Sequence, residues 1–123
     1  MALAREAEQT AADYLVSKGY AIRERNWRPQ PAHYEVDIIA QKGTEMVFVE
    51  VKARTSSEIP EAVEAVDIKK QKYIARAADI YLRRQEHLYY YRFDIIAVTW
   101  ENDDKRVLHL PDAFMPPLTS VGK

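Results

Sequence analysis

The 123-residue sequence has the length of one domain, and its 47% hydrophobic and 30% charged residues are ordinary for a soluble globular protein. The absence of cysteine excludes disulfides and thiolate metal sites and suits the cytoplasm, and no apolar run approaches the ~20 residues of a membrane span. The net charge of −1 excludes a global field that attracts nucleic acid, so any such binding must come from a local patch.

The first half of the chain predicts one helix and three strands. Apolar residues recur at helical spacing over residues 3–17, and Gly19 follows as the stop signal of that helix. Tyr20–Trp27 is predicted to be the first strand. Glu35–Gln41 and Glu45–Arg54 follow as the second and third strands, and the short glycine turn between them predicts a hairpin.

The second half predicts a helix and a buried strand. Asp67 is a plausible N-cap for a helix that extends to about Arg84. Arg92–Trp100 is the fourth strand, and its uninterrupted apolar run predicts burial on both faces. After a turn rich in Asn and Asp, Arg106–Leu110 is expected to add a short edge strand.

This α-β-β-β-α-β order predicts an α/β protein. A helix between the third and fourth strands permits a crossover connection, so we expect a mixed central sheet flanked by helices. We expect a single domain over residues 1–110 and a C-terminal tail over residues 111–123.

Two charged residues interrupt the apolar pattern of the third strand. Glu50 and Lys52 are two residues apart, so they share a strand face with Met46 and Phe48, which should be at least partly covered. Asp37 breaks the pattern of the neighbouring strand in the same way. Because paired strands lie about 5 Å apart, Asp37 and Glu50 could converge if the register allows.

Two interpretations of these charges remain open. Two close carboxylates repel unless a cation joins them, and Mg²⁺ or Mn²⁺ prefers oxygen ligands. Lys52 beside such a metal could orient or deprotonate an attacking water, or neutralise a reacting phosphate. The alternative is that Glu50 and Lys52 form an ordinary ion pair on a solvated face, since Glu-x-Lys is a common tripeptide.

Glu8 and Lys70 repeat the anomaly on the two helices. Glu8 lies beside the apolar stripe of the first helix, where it is either functional or a boundary carboxylate that reaches solvent. Lys70 falls on the apolar side of the second helix. The other basic residues of that helix lie on its opposite face, which is either a solvated surface or a track for a phosphate backbone; they are Lys69, Lys72, Arg76 and Arg83.

The remaining candidates are weaker. The three histidines have no metal-binding spacing, so His33, His87 and His109 are interpreted as structural or surface residues. Tyr89–Tyr91 could stack on bases but fits a strand entry or a dimer contact better. Trp27 beside Arg28 is interpreted as a core or edge anchor, with a nucleic-acid contact as the alternative.

The motifs along the chain resemble those of the YraN-like family, bacterial proteins usually described as predicted endonucleases. The match covers roughly residues 4–98, and its most specific part is the strand block around Glu50. The matching blocks are Glu8–Ala11 with Tyr14–Leu15, Gly19–Tyr20, Asn26–Arg28, Glu35–Ile39, Phe48–Arg54, Lys70–Gln71, Ala77–Ala78, Tyr81–Leu82 and Arg92–Asp94. Where the family has glycines, this chain has Ala4, Ala7 and Tyr34.

That family is similar to archaeal Holliday-junction resolvases and to the restriction-endonuclease-like fold, whose core has the order αβββαβ. The resemblance implies that Asp37 and Glu50 bind Mg²⁺ or Mn²⁺, that Lys52 assists the attacking water, and that Glu8 binds or positions the metal. It also implies that Lys70 and Gln71 lie at the mouth of the site. With Arg54 and Arg28, these two residues are the expected nucleic-acid contacts.

Three functions are compatible with these residues. The first is a metal-dependent endonuclease that cuts DNA, with branched or structured DNA as an expected substrate. The second is a non-catalytic nucleic-acid-binding or scaffold module on the same fold, which the net charge of −1 favours. The third is an interaction protein that uses Tyr89–Tyr91 and the tail. Because Holliday-junction resolvases act as dimers, the resemblance also allows a homodimer, although no dimer surface is identifiable from the sequence.

Overall fold

The computed structural model of the chain describes residues 2–29, 35–55 and 66–115. Its elements are α1 (Ala2–Ser17), β1 (Ala21–Trp27), β2 (Val36–Lys42), β3 (Glu45–Thr55), α2 (Ile68–Arg83), β4 (Tyr90–Glu101) and β5 (Asp104–Leu110). The predicted elements are confirmed with boundaries shifted by a few residues, and the expected edge strand is present as β5. Within the described ranges, no helix is long and apolar enough to cross a membrane.

The five strands form one mixed sheet in the order β1-β2-β3-β4-β5. The β2–β3 hairpin is antiparallel, as are the β1–β2 and β4–β5 pairs. β3 and β4 run parallel, and the connection between them contains α2. The fold is therefore the mixed α/β arrangement of a restriction-endonuclease-like core, as the sequence predicted.

Local sequence signals define where the elements begin and end. Gly19 has a φ of +93° after α1, a left-handed conformation that glycine adopts without steric cost. The β4–β5 turn has φ values of 52° at Asn102 and 69° at Asp103, and Asn and Asp tolerate that region better than most residues. Asp67 caps α2, since its side chain accepts a 2.8 Å hydrogen bond from the N–H of Lys70.

The sheet separates two layers of buried side chains. Alternation along β3 sends Val47 and Val49 to the α1 side and Met46 and Phe48 to the α2 side. Ala11 and Leu15 of α1 cover the first face with no exposed surface. The second face is covered by the inner stripe of α2, which consists of Ile74, Ala75, Ala77, Ala78 and Tyr81. Leu82, at the end of α2, is only partly buried and packs against this cluster.

Candidate functional site

Glu50 and Lys52 lie on the α2 side of β3, in continuation of the row formed by Met46 and Phe48. The side chains of that row are covered, because Phe48 is 1% exposed and Glu50 is 4% exposed. Lys52 is half-buried two residues further along the strand. The covered carboxylate predicted from the alternation is therefore confirmed, and a solvated ion-pair ladder does not describe Glu50.

Asp37 reaches the same region from β2. The β2–β3 pairing ends at Ile38 and Val49, so the two strands are no longer joined by ladder hydrogen bonds where Asp37 stands. The Oδ2 atom of Asp37 instead accepts a hydrogen bond from the backbone N–H of Val51 at 2.8 Å. Burial, and after it the negative charge of Glu50, raise the pKa of Asp37 to about 7, although the Val51 hydrogen bond opposes the rise.

Two lysines surround the Glu50 carboxylate. The Nζ atom of Lys52 lies 3.4 Å from Oε2, and Lys70, from the first turn of α2, forms an ion pair with the same oxygen. Burial lowers the pKa of Lys52, and the neighbouring Lys70 ammonium contributes to that fall. Burial also opposes the charged form of Lys70, but its hydrogen bond to Glu50 and the charges of Glu50 and Asp37 outweigh this and raise its pKa.

Two open cavities meet at this group of side chains. The first, of about 500 Å³, is lined by Glu35, Asp37, Glu50, Asp67, Lys69, Lys70 and Tyr73. The second, of about 460 Å³, is lined by Leu3, Ala4, Glu8, Asp37, Glu50, Val51, Lys52, Ala53, Arg54 and Lys70. Asp37, Glu50 and Lys70 face both cavities, so a ligand in either one meets the two carboxylates.

Glu8 belongs to the second cavity through α1. Its carboxylate accepts a 3.1 Å hydrogen bond from the side-chain amide of Asn26, which also donates to Glu35 at 3.2 Å. Asn26 adopts a φ of 50° near the end of β1. Its role in joining Glu8 to Glu35 was not predicted, although Asn26 belongs to a block of the family resemblance. The charge of Glu8 also contributes to the raised pKa of Asp37, after burial, Glu50 and the opposing Val51 hydrogen bond.

The four expected nucleic-acid contacts differ in their surroundings. Lys70 and Arg54 line the second cavity, and the described hydrogen bond of Arg54 goes to the carbonyl of Ala53 at 2.9 Å. Arg28 pairs with Glu35 at 2.6 Å on the exposed rim. The side chain of Gln71 donates to the carbonyl of Val66 at 3.0 Å and lines neither cavity.

A second polar cluster lies elsewhere in the fold, beneath α1. Asp94 has no exposed surface and accepts hydrogen bonds from Arg92 at 2.9 Å and from the backbone of Asp112 at 2.9 Å. Its Oδ2 is also 2.6 Å from Nε2 of His109, whose Nδ1 is 3.1 Å from the Tyr14 hydroxyl. His109 therefore has a structural partner 15 residues away in sequence, which its local spacing could not reveal.

The carboxylates of Asp37 and Glu50 suit a hard divalent cation. Asp37 and Glu50 offer carboxylate oxygens from two strands, and Mg²⁺ is commonly held by one or two carboxylates with water and substrate phosphate completing its shell. In residues 2–29, 35–55 and 66–115, no group of three or more His, Cys, Asp or Glu side chains is arranged to hold a metal ion. Asp37 and Glu50 could together hold such an ion as a two-carboxylate site, whereas the described hydrogen bond of Glu8 is with Asn26.

The fold and this cluster define an α/β protein of restriction-endonuclease-like architecture with two carboxylates and two lysines at one end of the β2–β3 hairpin. Residues 7–98 match the model of the Uncharacterised protein family UPF0102. The chain belongs to that family, which is the YraN-like group that its motifs resemble.

Relatives from several bacteria share most of the chain. A UPF0102 protein of Bacteroides thetaiotaomicron is 45% identical over 116 residues, which cover 94% of each chain. One of Thermodesulfovibrio yellowstonii is 38% identical over 112 residues, covering 91% of this chain and 95% of its own. One of Chlorobium chlorochromatii is 45% identical over 96 residues, covering 78% and 73% respectively.

Proposed function

We propose that the protein is a Mg²⁺- or Mn²⁺-dependent endonuclease that hydrolyses DNA phosphodiesters, with branched or structured DNA as the preferred class of substrate and the cytoplasm as its location. The observation that carries the proposal is the convergence of Asp37, Glu50 and Lys52 on open cavities. The Glu50 carboxylate is 4% exposed, and a buried charge is costly unless it is paired; a divalent cation would pair with it in addition to the two lysines.

The side chains have separable roles in this proposal. Asp37 and Glu50 hold the cation, and Glu8 positions it from α1. A bound Mg²⁺ would polarise the scissile phosphate and lower the pKa of the attacking water. Lys52 orients that water or neutralises charge that develops on the phosphate. Burial lowers the pKa of Lys52, which favours the neutral amine that can accept a proton from the water.

Cleavage of a panel of branched, duplex and single-stranded DNA, with Mg²⁺ or Mn²⁺ present, tests the proposal. We expect the wild type to cut at least one substrate and the variants Asp37→Asn and Glu50→Gln to lose at least 100-fold in rate while remaining folded. Asp13→Asn, which changes an exposed carboxylate of α1, is the control and should cut normally. If Asp37→Asn still cuts DNA, the assignment of Asp37 to the active site is wrong. If the wild type cuts no substrate, the proposed nuclease activity is contradicted.

A non-catalytic nucleic-acid-binding module is the second candidate. The observation that favours it is that two lysines already neutralise Glu50, so the buried carboxylate has partners without a metal. This function predicts DNA binding that weakens with salt, does not depend on divalent metal and leads to no cleavage. Filter binding with and without EDTA, beside the cleavage panel, distinguishes the two.

A homodimer is part of the proposal for branched DNA, because symmetric cleavage of a junction needs two active sites. Tyr90 and Tyr91 at the start of β4 are 76% and 47% exposed, which suits a contact between two copies. Analytical ultracentrifugation of the wild type and of Tyr90→Ser tests this. A monomeric wild type on DNA would contradict it.

A further inference from the structure

The Lys70 ammonium is paired with Glu50, one of the two carboxylates proposed to hold the metal. Glu50 Oε2 is the acceptor of both lysine ion pairs, while no described ion pair involves Asp37. A divalent cation held by Asp37 and Glu50 would therefore come close to two ammonium groups. Like charges at such distances in a partly buried site repel strongly, so metal binding favours the departure of at least one lysine from Glu50.

The structure indicates which lysine can leave. The Lys52 side chain is 11% exposed and extends from the same strand as Glu50, whereas the Lys70 side chain is 42% exposed and extends from the first turn of α2. Lys70 also lines both cavities, so a path into either one is open to it. The helix does not need to move, because Asp67 caps α2 through the Lys70 backbone and not through its side chain.

We propose that Lys70 is an exchangeable counter-ion, which neutralises Glu50 in the absence of substrate and transfers to a DNA phosphate when the metal binds. This inference rests on the proposed nuclease function and adds a regulatory property to its site. The lysine that blocks the metal becomes a phosphate ligand, so metal and DNA each strengthen the binding of the other. By linkage, the same coupling factor applies in both directions.

The coupling makes the site assemble on its substrate, because the cation is held more tightly when a phosphate backbone is present. Lys70 is suited to this exchange because an ammonium is a flexible point charge that pairs with either a carboxylate or a phosphate.

Calorimetric titration of Mn²⁺ into the protein tests the inference without relying on activity. Each titration is made twice, once without DNA and once with a duplex that cannot be cleaved. In that duplex a methylene group replaces a bridging oxygen of each phosphodiester. For wild type we expect the duplex to tighten Mn²⁺ binding by about 5- to 150-fold, the usual range of such coupling. For Lys70→Met we expect Mn²⁺ binding without DNA to be at least tenfold tighter than in wild type, and the effect of DNA to fall below about threefold.

Two control variants separate the position of Lys70 from its charge. Lys18→Met removes the same charge from an exposed position after α1 and should leave both Mn²⁺ affinities at the wild-type values. Lys70→Arg keeps a cation at the position and should keep weak Mn²⁺ binding in the absence of DNA. A urea melt establishes that each variant is folded before it is titrated.

The outcomes distinguish this inference from the proposed function. In one outcome, wild type binds Mn²⁺ through Glu50, but Lys70→Met binds Mn²⁺ no more tightly than wild type does without DNA. The proposed exchange of Lys70 is then wrong, and the proposed metal site remains. If wild type binds no Mn²⁺ even with the duplex, both the metal site and the exchange are overturned. Equal tightening in Lys70→Met and Lys18→Met would also overturn the inference, since net charge would then explain the effect.

Discussion

The Asp37 carboxylate accepts a 2.8 Å hydrogen bond from the backbone N–H of Val51 at the point where the β2–β3 ladder has ended. This contact joins the two strands beyond the last pair of the ladder. It engages Oδ2 of Asp37, a residue that lines both cavities.

The raised pKa of Asp37 predicts that folding stability falls as the pH rises. Its folded-state pKa of about 7 lies above the ordinary value of 3.8, so the native state binds more protons between these values. The free energy of unfolding should therefore decrease between pH 4 and pH 8, by at most about 4 kcal/mol for a shift of this size. Urea unfolding across that range measures the slope.

Asp37→Asn should remove most of that slope, because the amide cannot ionise and its oxygen can still accept from Val51. Saturating Mg²⁺ should also reduce the slope in wild type, since a cation stabilises the ionised carboxylate. Asp13→Asn serves as the control. An Asp37→Asn variant with the full wild-type slope would show that another group causes it.

Lys52→Met should abolish cleavage without unfolding the protein. General acid–base and electrostatic roles of this kind are commonly worth about 10²- to 10⁴-fold in rate. Single-turnover cleavage measures the loss, and circular dichroism establishes that the fold is retained. Lys18→Met, at an exposed position after α1, is the control; equal rates for both variants would exclude a role for Lys52.

Arg54 and Arg28 should differ as DNA contacts. Arg54 lines the cavity beside Lys52, whereas Arg28 is engaged with Glu35 at 2.6 Å. Arg54→Ala should weaken duplex binding in Ca²⁺ and reduce the slope of log affinity against log salt by about 1, as the loss of one phosphate contact does. Arg28→Ala should change both quantities less. The reverse order would mean that the Arg28–Glu35 pair opens on DNA.

The alternation of β3 was enough to predict the buried face that carries Glu50 and Lys52, because a period of two needs no tertiary information. The position of Asp37 relative to Glu50 was not predictable, since it depends on the β2–β3 ladder ending at the pair of Ile38 and Val49. The partner of Lys70 was also hidden in the sequence. Its helical position indicated only which side of α2 it occupies, and the docking of α2 on the sheet determines the contact with Glu50.

The buried Asp94 network shows the same limit. The sequence places Arg92 and Asp94 on one face of a strand, but His109 and Tyr14 are 95 residues apart and meet only because α1 covers β5. Local periodicity carries no information about such a contact. The apolar run that includes Ile95 and Ile96 predicted that β4 is buried on both faces, and both residues have no exposed surface.

The Asp94 network predicts a large stability effect remote from the candidate site. Asp94→Ala leaves Arg92 and His109 without their buried acceptor, and breaking a buried pair in this way costs about 3 to 5 kcal/mol. Urea unfolding measures the cost. Asp79→Ala removes an exposed pair with Arg83 and should cost less than about 0.5 kcal/mol. An Asp94 variant as stable as the Asp79 variant would contradict this assignment.

The central claim is that Asp37 and Glu50 form a divalent metal site, and calorimetric titration of Mn²⁺ into wild type and Glu50→Gln tests it most directly. The titrations use metal-free buffer, first without DNA and then with a duplex that can complete the coordination shell. We predict that wild type binds Mn²⁺ with the duplex present and that Glu50→Gln does not. Absence of Mn²⁺ binding by wild type in both conditions, or equal binding by the two proteins, would contradict the claim.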